Sequence, residues 1–166
     1  MKYRTLGRTN LKVSVVGVGT WQFGGEWGQS FTQAEVDAVL DKAAEAGINL
    51  IDTAECYGDH LAERLVGDYL SRHERDRWVV ATKFGHRFRG FMDRADEFGP
   101  AQVREQLIAS LRALRTDRID LYQFHSGTDE AFLDDGLRAV LDEARRAGMV
   151  RNLGVSIRGA GSEVQA

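Results

Sequence analysis

The chain has 166 residues, of which 43% are hydrophobic and 28% charged, and its formal net charge at pH 7 is −3. This is the composition of an ordinary globular protein with one sizeable core, and its mild acidity argues against nucleic acid or anionic lipid as a partner. No apolar run approaches the roughly 18 residues of a membrane helix, and no signal-peptide core follows Met1. A single cysteine, Cys56, excludes an internal disulfide and is typical of a reducing compartment. We therefore expect a cytoplasmic protein with a single domain over residues 1–166 and no membrane partner.

The first 30 residues predict a hairpin, a buried strand and a loop, in that order. Residues 3–5 and 12–14 flank the turn-rich segment LGRTN, which is typical of a short hairpin. The β-branched run VVGVGT, residues 15–20, predicts the first buried strand. Residues 21–30 are rich in glycine and tryptophan and predict a loop.

A helix is predicted to begin after Thr32, because Thr32 and Glu35 have the spacing of a capping box. Gly47 is predicted to end this helix. The apolar residues between them recur at helical spacing and predict one buried face, made of Val36, Val39, Leu40 and Ala43.

The same strand–helix alternation continues to residue 156. The later predicted strands end at Asp52, Lys83, His125 and Ser156. The helices between and after them present apolar sets at helical spacing, namely Leu61, Leu65 and Tyr69; Val103, Leu107, Leu111 and Leu114; and Leu137, Val140, Leu141 and Ala144. The charge run at residues 72–77 predicts a solvated turn, and residues 84–98 predict a long loop.

Alternating strands and helices predict right-handed crossovers and a parallel sheet, which makes the chain an α/β protein. Two architectures fit: about five units of a (β/α)8 TIM barrel, or a five-stranded doubly wound open sheet. A barrel brings the carboxyl ends of all strands around one mouth, whereas an open sheet spreads them along a line. Asp52, Lys83 and His125 favour the barrel because a carboxylate and an ammonium at strand ends need each other.

These three residues and Tyr57 form a candidate catalytic set. A tyrosine has a reference pKa of about 10, and a nearby buried ammonium lowers that value toward the range useful for general acid catalysis. Lys83 can supply the ammonium, and Asp52 its counter-ion. His125 can orient a carbonyl oxygen. The alternative interpretation is a structural ion pair with Tyr57 as a packing aromatic.

Other kinds of site fit the sequence less well. Gly17-Val18-Gly19 lacks the third glycine of a dinucleotide-binding fingerprint. A hydrolase triad of Ser156, His125 and Asp52 lacks the closing glycine of a nucleophile elbow. No His or Cys pair has metal-ligand spacing, so no metal site is predicted. The remaining histidines are expected on the surface or in loops, at His60, His73 and His86.

Four separated segments make the chain resemble the aldo-keto reductase family. They are YRTLGRTNLKVSVVGVGTWQFGG at the start, NLIDTAECYGDHLAERLVG around Asp52 and Tyr57, VVATKFG around Lys83, and SLRALRTDRIDLYQFH before LGVS. The resemblance implies a (β/α)8 barrel that reduces a small aldehyde or ketone with NADPH, NADH not being excluded. It implies that Tyr57 is the general acid, that Lys83 paired with Asp52 lowers its pKa, and that His125 orients the carbonyl. It also implies cofactor contacts from Gly19, Thr20, Trp21, Asp52 and Ser156.

The sequence departs from the family pattern in three ways. Ile157 stands where the family usually has Asn after Ser156, which removes one expected carboxamide contact. Ala62 stands where Ser often precedes Glu63. A complete barrel needs about 250 residues, so we expect either a fragment or a naturally shortened protein with exposed sheet edges, self-association and no reductase activity of its own.

The resemblance leaves a second function open. It extends to the β-subunits of potassium channels, which share the barrel and act chiefly as binding partners. Substrate selectivity is expected to come from the loops at 21–30 and 84–98, with aromatic walls at Trp21, Trp27, Phe88 and Phe91.

Overall fold

The computed structural model describes residues 1–157. Its strands are β1 (Tyr3–Thr5), β2 (Lys12–Ser14), β3 (Val18–Gly19), β4 (Leu50–Asp52), β5 (Val79–Phe84), β6 (His86–Gly90), β7 (Asp93–Asp96), β8 (Ile119–His125) and β9 (Val150–Ser156). Its α-helices are α1 (Gln33–Glu45), α2 (Leu61–Leu70), α3 (Pro100–Ala113), α4 (Asp129–Leu133) and α5 (Asp135–Arg146), and short 3-10 helices cover Trp21–Gly24 and Arg75–Arg77.

The main sheet has five parallel strands in the order β3-β4-β5-β8-β9. Each strand therefore lies beside the one that precedes it in this series, with no reversal of order. A doubly wound sheet reverses its strand order at a switch point, whereas a barrel adds each strand next to the last. The strand order thus agrees with the barrel and not with the open doubly wound alternative.

The predicted N-terminal hairpin is present, and it is fastened to the start of β4. β1 and β2 pair antiparallel. The side chain of Asn49, just before β4, accepts from the Ser14 amide at 2.7 Å and donates to the Lys12 carbonyl at 2.9 Å. The Tyr3 hydroxyl donates to the Gly47 carbonyl at the end of the first helix–strand connection.

The helices bury most of the apolar faces that the sequence predicts. The capping box of Thr32 and Glu35 is formed at the start of α1, and Val36 and Leu40 are fully buried. Val39 was expected on the same face but is 42% exposed. Val39, three residues after Val36, lies at the edge of the apolar face of α1, and in this helix that edge faces solvent.

Two expectations about the less regular segments are wrong. The first parallel strand is only Val18–Gly19, and Val15 and Val16 are 47% and 52% exposed. The Ser14 hydroxyl donates to the Val16 carbonyl at 2.6 Å, which turns this β-branched run out of the sheet. Residues 84–98 are not an open loop but contain the antiparallel hairpin β6–β7.

The charge run at residues 72–77 is exposed as predicted, except at Arg75, which is half-buried. The guanidinium of Arg75 contacts the Asp120 carboxylate at 2.7 Å, and the Asp120 side chain is only 2% exposed. Arg151 contacts the other oxygen of Asp120 at 2.9 Å. The run therefore supplies one arm of a buried ion-pair cluster.

The edges and surfaces of the sheet complete the description. Within residues 1–157, β3 and β9 each have one neighbouring strand in the main sheet. Self-association through these edges stays a prediction. Among the described helices, none combines the length and the apolar character needed to cross a membrane.

Candidate active site

The predicted catalytic side chains converge at the carboxyl edge of the main sheet. Asp52 and Lys83 lie at the ends of β4 and β5, His125 is the last residue of β8, and Ser156 is its partner in register on β9. Since parallel strands end at the same edge, the four strand ends share one surface. Tyr57 reaches this surface from the turn between β4 and α2.

Two glycines fix the turn that carries Tyr57. Gly58 has a φ of 64°, which is the left-handed region, and a Cβ there would lie 2.2 Å from the Gly24 carbonyl oxygen. A Cβ on Gly24 would in turn lie 2.6 Å from the Tyr57 carbonyl carbon. The backbones of the two segments can approach this closely only because both residues lack a side chain. This contact sets the position of Tyr57 against the glycine-rich segment.

The ammonium of Lys83 is the centre of the cluster. Its Nζ lies 2.6 Å from Asp52 Oδ1, 2.8 Å from the Thr53 carbonyl oxygen and 3.1 Å from Tyr57 Oη. An ammonium has three donors and no acceptor, so these contacts use all of them. Because Lys83 donates to Oη, the phenol proton of Tyr57 is directed away from Lys83 and remains available to a further acceptor.

The balance of charges differs from the sequence expectation for Tyr57. Burial raises the pKa of Tyr57 and Lys83 lowers it, and the net pKa lies above the ordinary value. The phenol is therefore protonated at neutral pH, which is the state that a proton donor needs. Burial opposes the charge on Lys83, but the Asp52 carboxylate and Tyr57 outweigh it and the pKa of Lys83 is raised.

Asp52 is more open to solvent than a buried strand end suggests. Its side chain is 42% exposed, whereas that of Lys83 is 6% exposed. Asp52 Oδ2 is 3.4 Å from the Gln123 amide nitrogen. The ion pair is thus buried on the lysine side and open to the mouth on the carboxylate side.

His125 lies between Tyr57 and two groups that the sequence did not link to it. Its ring meets the Tyr57 ring edge-on, with centroids 6.3 Å apart. Its Nδ1 is 3.8 Å from Cys56 Sγ, and the centroid of the His86 ring is 4.6 Å away. His86 was expected in a surface or loop position, but it is 6% exposed and begins β6.

An aromatic wall stands over Tyr57, as predicted for Trp21. The Trp21 ring stacks on Tyr57 with centroids 6.0 Å apart, and Trp27 meets Trp21 edge-on at 5.1 Å. Trp21 Nε1 donates to the Glu26 carboxylate at 3.0 Å. This hydrogen bond holds the indole ring of Trp21 in one orientation over Tyr57.

Glu26 is a site residue that the sequence reasoning missed. Its side chain is 2% exposed, and it also accepts from the Met92 amide at 3.2 Å and from the Arg94 guanidinium. It thereby ties the loop that carries Trp21 to the hairpin β6–β7. One sign of this role was present in the sequence: Glu26 is an acidic residue in a segment rich in tryptophan and glycine, where an indole N–H can be its hydrogen-bond partner.

The expected cofactor contacts lie along the same edge. Thr20 is fully buried and donates from its amide and its hydroxyl to the Asp52 carbonyl, at 3.0 and 3.1 Å, so it fastens β3 to β4. Gly19 is exposed, and a Cβ there would meet no atom within 4 Å. Ser156 is half-buried. The exposed backbone at Gly19 and the hydroxyl of Ser156 form an open floor at this edge of the sheet. A flat ring that carries a carboxamide fits such a surface beside Tyr57.

Two buried glutamates near this edge were also missed. Glu55 is 3% exposed and accepts from the His86 amide at 3.0 Å, and burial raises the pKa of Glu55 to about 8. Glu63 is fully buried and accepts from the Thr82 hydroxyl at 2.6 Å. Burial likewise raises the pKa of the Cys56 thiol to about 12. Acids in the first turns after a strand are usually solvated, so the sequence offered no reason to bury them.

The fold and the site define an α/β protein of the (β/α)8 barrel type with a polar cluster at the mouth. The sequence profile described as "Aldo/keto reductase family" matches residues 15–165. The chain therefore belongs to the aldo/keto reductase family, as its motifs predicted.

Individual relatives agree with this assignment. The chain is 36% identical to the uncharacterized oxidoreductase YqkF of Bacillus subtilis, covering 94% of this chain and 49% of the relative. It is 35% identical to the NADH-specific methylglyoxal reductase of Escherichia coli, covering 94% and 52%. The solved structure of the aldo-keto reductase AKR11C1 from Bacillus halodurans superposes with a TM-score of 0.81 at 33% identity, covering 93% of this chain and 50% of that one.

These matches confirm the barrel-type fold and the oxidoreductase family, which acts on small carbonyl compounds with nicotinamide cofactors. The described part of the barrel is the N-terminal hairpin and five parallel strands. The chain spans about half the length of the curated relatives it matches.

Proposed function

We propose that this site reduces the carbonyl group of a small aldehyde or ketone to an alcohol, with NADPH as the hydride donor. The observation that carries the proposal is the 3.1 Å contact between Lys83 Nζ and Tyr57 Oη, made by a lysine that is itself 2.6 Å from Asp52. The charged, carboxylate-paired ammonium of Lys83 stabilises the phenolate that forms when Tyr57 donates its proton, and so offsets part of the rise in pKa that burial causes. Family membership supports the same reaction class.

When bound, a reduced nicotinamide would supply the hydride for the carbonyl carbon. Tyr57 Oη donates its proton to the carbonyl oxygen as negative charge develops there, and the alcohol results. Lys83 stabilises the phenolate that remains, and Asp52 keeps Lys83 charged. His125 positions the carbonyl oxygen within reach of Oη, and water later returns a proton to Tyr57.

The cofactor would be held by residues around the open floor. Ser156 would contact the carboxamide, and Asp52, Gly19 and Trp21 would border the ring. Ile157 is 43% exposed and offers no side-chain hydrogen bond. We therefore expect carboxamide binding to depend on Ser156 more than in relatives that carry Asn at the next position.

One activity assay can test both the substrate and the choice between NADPH and NADH. The printed name of the Escherichia coli relative specifies NADH and methylglyoxal, so methylglyoxal is the first substrate to assay, with each cofactor in turn. The assay follows nicotinamide absorbance for the chain as it stands. A parallel chimaera, in which the C-terminal half of the Bacillus halodurans reductase follows β9, supplies the remaining half of the barrel.

Tyr57→Phe is the decisive variant because it removes the proton donor and keeps the ring. We expect the kcat of the active form to fall by about 10²–10⁴-fold with cofactor affinity nearly unchanged. Tyr3→Phe is the matched control, since Tyr3 lies in the N-terminal hairpin, far from the carboxyl edge. Retention of more than about a tenth of kcat in Tyr57→Phe would remove Tyr57 from the role of acid.

A further inference from the structure

Three side chains that can ligate a metal meet at the active-site histidine: Glu55 and Cys56 are buried, and the third, His125, is half-buried. Glu55 and Cys56 follow β4, and His125 ends β8. One ligand atom of each lies within 4.8 Å of the other two. Cys56 Sγ and His125 Nδ1 are 3.8 Å apart. The sequence did not reveal this cluster, because Glu55 and Cys56 are adjacent whereas His125 comes from a different strand.

The chemistry of the cluster is selective. Thiolate and imidazole together favour zinc over magnesium or calcium, which take oxygen ligands. One thiolate and one carboxylate carry two negative charges, so a divalent ion bound to them leaves this buried site neutral. Three protein ligands and one open position form the pattern of zinc sites that are not purely structural.

The geometry needs only a small adjustment. Zinc bond lengths of about 2.0–2.3 Å in a tetrahedron place neighbouring ligand atoms about 3.4–3.6 Å apart. The Cys56–His125 distance of 3.8 Å is already close to this separation. A shift of about 1 Å by the Glu55 side chain, which has three rotatable bonds, brings its oxygen into the same range.

Glu55 also gives independent evidence of a missing partner. It is 3% exposed, yet its Oε2 has no hydrogen-bond partner among the described residues. Buried polar atoms are rarely left unpaired, and a bound ion is one of the reasons for an exception. Glu55 lines a cavity of about 200 Å³ together with His60, His86 and Gln106, so polar side chains surround the approach to Glu55.

We propose that Glu55, Cys56 and His125 bind Zn²⁺, and that the bound ion, by using His125 as a ligand, interferes with the action of this imidazole on the carbonyl and inhibits reduction. The ion displaces the thiol proton and any carboxyl proton to solvent, and no electrons are transferred. The binding step needs neither cofactor nor substrate. The inhibition step rests on the proposed function.

The test uses Co²⁺ as a spectroscopic probe with the purified chain in a reducing, non-chelating buffer. A Co²⁺–thiolate bond gives a near-ultraviolet charge-transfer band, and tetrahedral coordination gives intense visible bands. We expect both bands to saturate at one equivalent and to disappear when Zn²⁺ is added. The wild-type spectrum alone is a test, because it depends on no variant.

Two variants at the ligands and one control variant then test the assignment. Cys56→Ala is expected to lose the charge-transfer band and to weaken binding by more than about 100-fold, since even second-shell changes cost about 10- to 100-fold. Glu55→Gln, which keeps the shape of the side chain, is expected to weaken binding and alter the visible bands. His73→Ala, which lies outside the cluster, is the matched control. Circular dichroism of each variant establishes that it is folded.

The outcomes separate this proposal from the proposed function. Absence of the charge-transfer band in the wild-type chain, or an unchanged spectrum in Cys56→Ala, overturns the zinc site even if the chimaera reduces carbonyls. Binding of Co²⁺ by a protein that reduces nothing supports the site and counts against the reductase. In an active chimaera, we expect Zn²⁺ at saturating occupancy to abolish most of the activity, and full activity at that occupancy would overturn the inhibitory role.

Discussion

Asp120→Ala is expected to be among the most destabilising single substitutions at an ionisable residue. Asp120 is the second residue of β8, and its side chain is 2% exposed. One oxygen accepts from Arg75 at 2.7 Å and from the Val80 amide at 3.0 Å. The other accepts from Arg151 at 2.9 Å. The carboxylate therefore joins β5, β8, β9 and the segment before β5.

The expected cost follows from what each partner loses. Breaking a buried ion pair by removing one member costs about 3–5 kcal/mol, because the other charge is left without compensation. The Arg75 side chain is 16% exposed and still donates to the carbonyls of Trp78 and Arg118. Arg151 is 48% exposed and can be solvated. We therefore expect the lower end of the range, about 3 kcal/mol.

The assay is urea unfolding at equilibrium together with thermal unfolding. For a chain of this size, about 3 kcal/mol corresponds to a fall in Tm of about 6–12 °C. Asp117→Ala is the matched control, because the Asp117 side chain is 88% exposed beside Arg118 and a surface pair contributes about 1 kcal/mol or less. If Asp120→Ala unfolded within about 1 kcal/mol of Asp117→Ala, at unchanged m, the cluster would not be stabilising as argued.

Two further predictions concern the mouth of the site. Lys83→Met is expected to abolish activity in the chimaera. It is expected to lower the free energy of unfolding by well under the about 3–5 kcal/mol of a fully buried pair, since Asp52 is 42% exposed and stays hydrated. Urea unfolding measures this loss, and a loss as large as that of Asp120→Ala would contradict the prediction. Glu26→Ala is expected to release Trp21 from its position over Tyr57 and so increase acrylamide quenching of tryptophan fluorescence, since Trp78 is buried and Trp27 is already exposed. Glu130→Ala is its exposed control, and equal quenching in both variants would show that Glu26 does not hold Trp21.

The sequence predicted the order of strands and the ends of most of them because both depend on local patterns. A buried strand is rich in apolar and β-branched residues, and a charged residue marks its end, as at Asp52, the last residue of β4, and at Lys83, one residue before the end of β5. Since parallel strands end together, the local pattern also predicted that these side chains share one edge. The resemblance to a family then supplied the roles that the pattern alone left open.

What the sequence could not predict depends on contacts between distant residues. The hairpin β6–β7 has charged residues on both strands and a single large apolar side chain within them, Phe88, so its strands form because they pair with each other and are fastened to Glu26. The exposure of Val15 and Val16 depends on a hydroxyl at Ser14. The direction in which the pKa of Tyr57 shifts depends on whether the effect of burial or that of Lys83 is larger, and only the packed structure gives that balance.

The two ion-pair clusters show how position along a strand separates binding from stability. Asp120 lies at the start of β8, where Arg75 and Arg151 close around it and leave it 2% exposed. Asp52 lies at the end of β4, where Lys83 is buried but the carboxylate remains 42% exposed. A closed pair can only hold strands together, whereas an open pair keeps a charged surface for a ligand. In a βα barrel the carboxyl ends carry the chemistry and the amino ends carry the stability, and in this chain the closed pair lies at an amino end and the open pair at a carboxyl end.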